Sequence, residues 1–203
     1  MLKRVVFLAV SLGFAARAEA QIYTSSQYNA AYIPVSGGTA LTFGSTDDSA
    51  TPVAIGFTFN FYGVDYSFVN VATNGYLYLA EPCPTGVCSS FSAQCISGAC
   101  QDTSASTGAF TVFPDPNDLN GVVAPFWDDL LITSGAKVVT QLQGTAPNRI
   151  FVVEWQNVRH FGGPTAESAN FQARLLEGGG VQLAWGPMTL ATPPGTWSGN
   201  LVV

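Results

Sequence analysis

His160 is the single histidine of the chain, so any Ser-His-Asp or Cys-His site would have to be built on it. No G-x-S-x-G or comparable nucleophile setting accompanies it. With Arg159 and Phe161, ahead of Gly162-Gly163-Pro164, it reads as a strand-end residue beside a loop. A glycosidase needs a different set, two carboxyl groups facing each other across a sugar. Asp128 and Asp129, directly after Phe126-Trp127, and Glu154, inside an apolar run, are the candidates, with Trp127 and Trp155 as stacking faces. The Asp128-Asp129 pair fits two other uses equally: solvated charges at a strand end, or a calcium site completed by loop carbonyls. Asp47-Asp48, Asp115 and Asp118 add oxygen ligands, but none falls in EF-hand spacing. Spacing alone positions no pair of carboxylates, so no catalytic residue is expected. No cofactor is expected either, with calcium at Asp128 and Asp129 as the one alternative.

The cysteines are the other reactive set. Cys83, Cys88, Cys95 and Cys100 lie within one stretch, and Cys83-Pro-Thr-Gly-Val-Cys88 echoes Cys95-Ile-Ser-Gly-Ala-Cys100. An even cysteine count in an exported chain implies disulfides, and four cysteines allow three connectivities. The echo favours local bridges, 83–88 and 95–100, each of which would shape a turn. A four-thiolate zinc site also fits the spacing within each pair, but an oxidising compartment opposes it.

That compartment is read from the first twenty residues. Lys3 and Arg4 precede an apolar run, Val5 to Phe14, and Ala18-Glu19-Ala20 offers a small-x-small cleavage pattern. The run is short of the ~20 residues a spanning helix needs. Residues 1–20 are therefore expected to be a signal peptide, 21–203 a single exported domain, and no membrane insertion is expected after cleavage. Of 7 basic and 13 acidic residues, Lys3, Arg4, Arg17 and Glu19 fall in the leader, which leaves 4 basic, 12 acidic and a formal charge of −8. The remaining bases, Lys137, Arg149, Arg159 and Arg174, are scattered, and phosphate binding needs them clustered, so nucleic acid is not an expected partner.

The elements that must position these residues alternate with a period of two. In Ile55-Gly56-Phe57-Thr58-Phe59-Asn60-Phe61 each odd position is large and apolar, the pattern of a strand with one face in a core. Asn74-Gly75 stands between Val69/Val71 and Tyr76/Tyr78 and predicts a hairpin with a type I′ turn, whose two central residues take φ > 0. Gly121 to Ile132 reads as a strand bent at Pro125, followed by strands over 137–142, 149–155, 170–176 and 181–185. Pro34, Pro52, Pro125 and Pro147 fall at strand ends or bends. The pattern predicts an all-β fold: an antiparallel β-sandwich, jelly-roll-like, with a long disulfide-bearing loop insertion at about 80–120. The chain ends at Leu201-Val202-Val203 in what reads as the start of a strand, so the C-terminal strand is expected to be incomplete.

Two stretches resemble a known family. Phe57-Thr-Phe-Asn-Phe-Tyr-Gly63 with Asn74-Gly-Tyr76 is similar to a block of secreted bacterial multidomain proteins. Val123-Ala-Pro-Phe-Trp-Asp-Asp129, then Glu154-Trp-Gln-Asn-Val158, then Asn170-Phe-Gln-Ala-Arg-Leu-Leu-Glu177, resembles the nidogen-like extracellular domain. The resemblance implies a β-sandwich module of adhesive or matrix-type proteins, with no assigned catalytic residues. The insertion at 80–120 departs from that pattern. The expected function is a secreted or cell-surface binding or adhesion module without catalysis, whose ligand is an extracellular protein or a glycan. The alternatives are a structural module of a larger surface protein, or a glycoside-active enzyme using Asp128, Asp129 and Glu154.

Overall fold

A computed structural model describes residues 26–27, 31–80, 93–96, 99–102 and 121–191. The expected leader, most of the insertion and the strand expected at Leu201–Val203 lie outside the described residues. The described part is all-β. Strand β1 is Thr39–Ala40, β2 Ala50–Phe61, β3 Val64–Ala72, β4 Leu77–Ala80, β5 Ala93–Ile96 and β6 Ala99–Asp102. The second half supplies β7 Val122–Val123, β8 Leu130–Leu131, β9 Lys137–Gln143, β10 Ile150–His160, β11 Ala169–Leu176 and β12 Val181–Trp185.

Two larger antiparallel sheets and a separate two-stranded β5-β6 hairpin result. The larger runs β1-β9-β10-β11-β12 with β8 paired to the far end of β10, and the smaller runs β2-β3-β4-β7. Among the described residues β2-β3-β4 and β9-β10-β11-β12 are meanders of consecutive neighbours, while β1 beside β9, β7 beside β4 and β8 beside β10 pair across the sequence; this order does not by itself establish the expected jelly roll. The meanders have a local reason: short turns join β2-β3-β4 and β9-β10-β11-β12, and a hairpin connection keeps successive strands paired.

The odd positions of β2, Ile55, Phe57 and Phe59, enter one core with Val69 and Val71 of β3. Across from them the larger sheet contributes Val138, Phe151, Val153, Trp155, Phe171 and Leu175. Trp155 stacks on Phe171 at 5.1 Å. Its indole N–H donates to the Ala72 carbonyl at 2.9 Å, which ties the two sheets together and satisfies the one polar atom that the ring buries.

Three details differ from the sequence expectation. The Asn74-Gly75 turn has positive φ only at Gly75, and the Ala72 N–H donates to the Tyr76 carbonyl at 2.9 Å. This is the three-residue loop that ends on a left-handed glycine, not type I′. The two-residue turn with both central φ positive is Tyr62-Gly63, at +49° and +80°, between the paired Phe61 and Val64. Residues 121–132 form no single bent strand. They make two short strands separated by an irregular stretch, because backbone groups at Phe126, Asp128 and Leu130 bond to the 74–75 turn.

Strand β10 is buried on both faces from Phe151 to Trp155. One face packs into the sandwich. The other is covered by residues 31–36, which cross the outer face of the larger sheet before Gly37, at φ +72°, turns the chain into β1. The Gln172 amide donates to the Ile33 carbonyl at 2.9 Å, and that of Gln141 to the Ser36 carbonyl at 2.8 Å.

Candidate functional site

The acids singled out by sequence take three separate positions. Glu154 lies on the outer face of β10, 1% exposed, beneath the 31–36 segment. It accepts the Tyr32 hydroxyl, the Val35 N–H at 2.7 Å and the Gln156 amide at 2.7 Å. Burial, then the Glu154 bond and charge, drive the Tyr32 phenol far above its ordinary pKa, so it stays a donor. Glu154 is thereby an anchor for the N-terminal segment.

Asp128 closes the opposite end of β10. Its Oδ2 lies 3.3 Å from His160 Nε2, and its Oδ1 accepts the Asp129 N–H at 2.8 Å. His160 Nδ1 faces Glu167 Oε2 at 3.1 Å, and Glu167 Oε1 accepts the Ala191 N–H at 2.9 Å. All three side chains are buried. Burial raises the Asp128 pKa against the opposing pull of the Asp129 amide and His160. For Glu167 burial also pushes upward, but the Ala191 amide and His160 outweigh it and hold the carboxyl below its usual range. His160 is thus the strand-end residue expected, and its imidazole stands between the buried carboxyls of Asp128 and Glu167. Its partner Glu167 has no sequence signal, because the turn at 161–166 brings it back without periodicity.

Asp129 joins a different group. Its carboxylate, Asp47 and Asp48 each offer an oxygen within 4.8 Å of the others. Asp128 turns inward to His160, so the carboxylate oxygens grouped with Asp129 are those of Asp47 and Asp48. The scaffold is the 74–75 turn. Asn74 donates its amide to Asp48 at 3.0 Å and accepts the Leu130 N–H at 3.0 Å, while its carbonyl takes the Asp128 N–H at 3.3 Å. Asp48 sits at φ +45°, a left-handed setting that Asp tolerates better than most residues. Phe161 N–H donates to the Asp129 carbonyl at 2.8 Å. Burial raises the Asp47 and Asp129 pKa values, and the neighbouring aspartate charges raise both further. Three fixed carboxylate oxygens in mutual repulsion are the donor type that hard cations such as Ca²⁺ take.

Trp155 and Phe126 are core, so Trp155 is no stacking face, and Trp127 is half-buried beside Tyr76 at 4.8 Å between ring centroids. Cys83 and Cys88 lie outside the described residues. Cys95 and Cys100 stand directly opposite each other in the β5-β6 hairpin.

A two-sheet antiparallel domain whose buried acids serve as anchors is the class of protein that fold and site define. The profile of the family described as NIDO related matches residues 22–196, and the chain belongs to that family. No curated protein and no solved structure matches it. Among the described residues no helix is long and apolar enough to cross a membrane.

Proposed function

We propose that this is an extracellular binding module, exported by residues 1–20 and acting on a protein or glycan ligand without catalysis. The observation that carries the reading is the fate of the acids that could have done chemistry. Asp128 is taken up by His160, and Glu154 by Tyr32, Val35 and Gln156, on different parts of the larger sheet. A hydrolase needs two carboxyls converging on one cleft, and these point to different partners. Membership of the NIDO-related family and an acidic surface with scattered bases support the extracellular assignment. The opposed Cα positions of Cys95 and Cys100 support the 95–100 bridge, and by the sequence echo the 83–88 bridge.

The test uses residues 21–203 produced in an oxidising compartment and screened against glycans and matrix proteins, with and without calcium. Binding of any ligand supports the reading, and binding that chelation abolishes and Asp129→Asn weakens assigns calcium to the Asp47-Asp48-Asp129 group. Glycoside turnover, or the absence of any ligand under both conditions, argues against it.

A further inference from the structure

We propose that residues 31–36 are an exchangeable strap, and that two copies of this chain associate by each seating its Tyr32 and Val35 on Glu154 of the other. The partner is a second copy, an association that stands apart from the ligand reading above.

The outer face of the larger sheet receives the strap at two residues. Tyr32 and Val35, three positions apart, both reach Glu154, one through its phenol and one through its backbone N–H at 2.7 Å. Between them Ile33 is 69% exposed, and only its carbonyl is used, accepting the Gln172 amide at 2.9 Å. Arg174 Nε donates to Gln172 Oε1 at 2.8 Å, which turns that amide toward the strap. The Tyr32 ring needs a gap, and Gly186 leaves it: a Cβ there would stand 2.6–2.8 Å from three ring carbons. Gly186 has no positive φ and stays in the ladder through its N–H to the Asn170 carbonyl at 2.8 Å. The backbone does not ask for glycine at 186; the tyrosine does.

The strap is also built to leave. Residues 31–36 form no strand, and the bonds that seat them come from side chains of Gln141, Glu154 and Gln172. The floor they cover is largely polar, with Arg174 beside Gln172 and with Val139 and Val152 in register on the same face. Water satisfies such polar groups once they are uncovered, and the core lies on the other face of the sheet. Lifting the strap therefore belongs to the low end of local opening free energies.

Complementarity already visible decides the occupant. The slot matches a tyrosine and an amide three residues later, and every copy of the chain carries that segment. Gly37 is the hinge, at φ +72° with nothing within 4 Å of a Cβ. An extended Gly37 carries the strap outward, and each contact is remade on the partner. Reciprocal exchange about a two-fold axis conserves the strap contacts, so it differs from the closed monomer by the hinge conformation and the entropy of association.

Sedimentation equilibrium of residues 21–203 over a wide concentration range should show a monomer–dimer equilibrium. Gly37→Ala meets no neighbour but disfavours φ > 0, so it should tighten dimerisation about ten-fold or more. Tyr32→Ala combined with Val35→Pro removes both donors to Glu154 and keeps the slot, whereas Gly186→Ala keeps the strap and blocks the slot. Each of these alone should be monomeric, and their mixture should form a heterodimer, the strap of the second on the slot of the first. A synthetic peptide of residues 31–36 should bind the first variant with backbone amide NMR shifts around Glu154 and Gln172. The same peptide with phenylalanine for Tyr32 should bind about ten-fold or more weakly, having lost a hydrogen bond to a charged group. That arm stands even if Gly186→Ala fails to fold. A parent that stays monomeric at every concentration, a mixture without heterodimer, or a dimer that either variant retains overturns the proposal. Peptide binding without a heterodimer overturns the second copy as occupant in favour of a segment of another protein.

Discussion

Replacing His160 with leucine should destabilise the domain by about 3–5 kcal/mol at neutral pH, the range for removing one partner from a buried ion pair. The structure shows what remains. Asp128 Oδ1 keeps the Asp129 N–H and Glu167 Oε1 keeps the Ala191 N–H. The inner oxygens, Oδ2 of Asp128 and Oε2 of Glu167, lose the imidazole that now faces them at 3.3 and 3.1 Å. Two charged contacts at ~1.5–3 kcal/mol each agree with the range above. For a domain of this size, the melting temperature should fall by roughly 6–20 °C.

The pH dependence separates charge from packing. Without His160 both carboxyls are left uncompensated in the folded state, so their folded pKa values rise above those of the unfolded chain. The folded state then binds more protons, and stability falls as pH rises. The gap between parent and variant should therefore be small near pH ~4 and full by pH ~7.5, since unperturbed carboxyls titrate near ~4. Urea unfolding at both pH values measures it. A gap that is the same at both, or under ~1 kcal/mol at the higher, refutes the ionic reading and leaves only lost volume. Adding Asp128→Asn and Glu167→Gln to the variant should recover much of the loss.

Gly75→Ala should be far worse than Gly135→Ala: a Cβ at 75 would meet the Phe126 carbonyl oxygen at 1.9 Å, whereas at 135 it meets nothing within 4 Å. Both positions have positive φ, so the second should lose about 1–2 kcal/mol from strain and the first about 4 or more, by chemical denaturation. The carboxamide of Asn70 is buried and has no hydrogen-bond partner among the described residues. Asn70→Leu should stabilise by about 1–3 kcal/mol, and a loss of stability would show that the amide is bonded. Glu177, with its pKa held down to about 2 by the Arg149 side chain, adds stability that is full above pH ~4.5 and is lost as pH falls from there through about 2. The stability difference from Glu177→Gln should vanish over that acid window, as thermal melts at stepped pH would show.

The strands were legible where one period rules one face. Phe57-Thr-Phe-Asn-Phe61 and Val181–Trp185 alternate, and both are strands. Legibility failed where a distant segment decides. Glu154 lies in a run that reads as apolar because its outer face is buried too, and its cover is Tyr32, 122 residues earlier. The Tyr62-Gly63 turn was missed because tyrosine is a poor choice for φ > 0. The 121–132 stretch has the apolar content of a strand, but its amides are claimed by a turn. Local pattern registers side-chain polarity and not which backbone donors are already spoken for.

The same distinction explains the acids. Asp128, Asp129 and Glu154 look like a catalytic set because acids are rare in a chain with only 10% charged residues. In the fold two of them, Glu154 and Asp128, hold down something that the meanders alone would leave loose. Glu154 anchors the segment before β1, and Asp128, through His160, ties the stretch before β8 to the end of β10. Asp129 is the remainder: its backbone carbonyl is fixed by Phe161, but its side chain faces two other aspartates. A carboxylate kept beside like charges gains nothing for stability, since burial and those charges both raise its pKa. Among the described residues only His160 opposes that rise, and a proton or a bound cation would relieve it. Hence Asp129→Asn should raise the melting temperature without calcium and remove any rise that calcium produces. A variant less stable than the parent in chelator would mean that the three aspartates are held together by something other than a ligand.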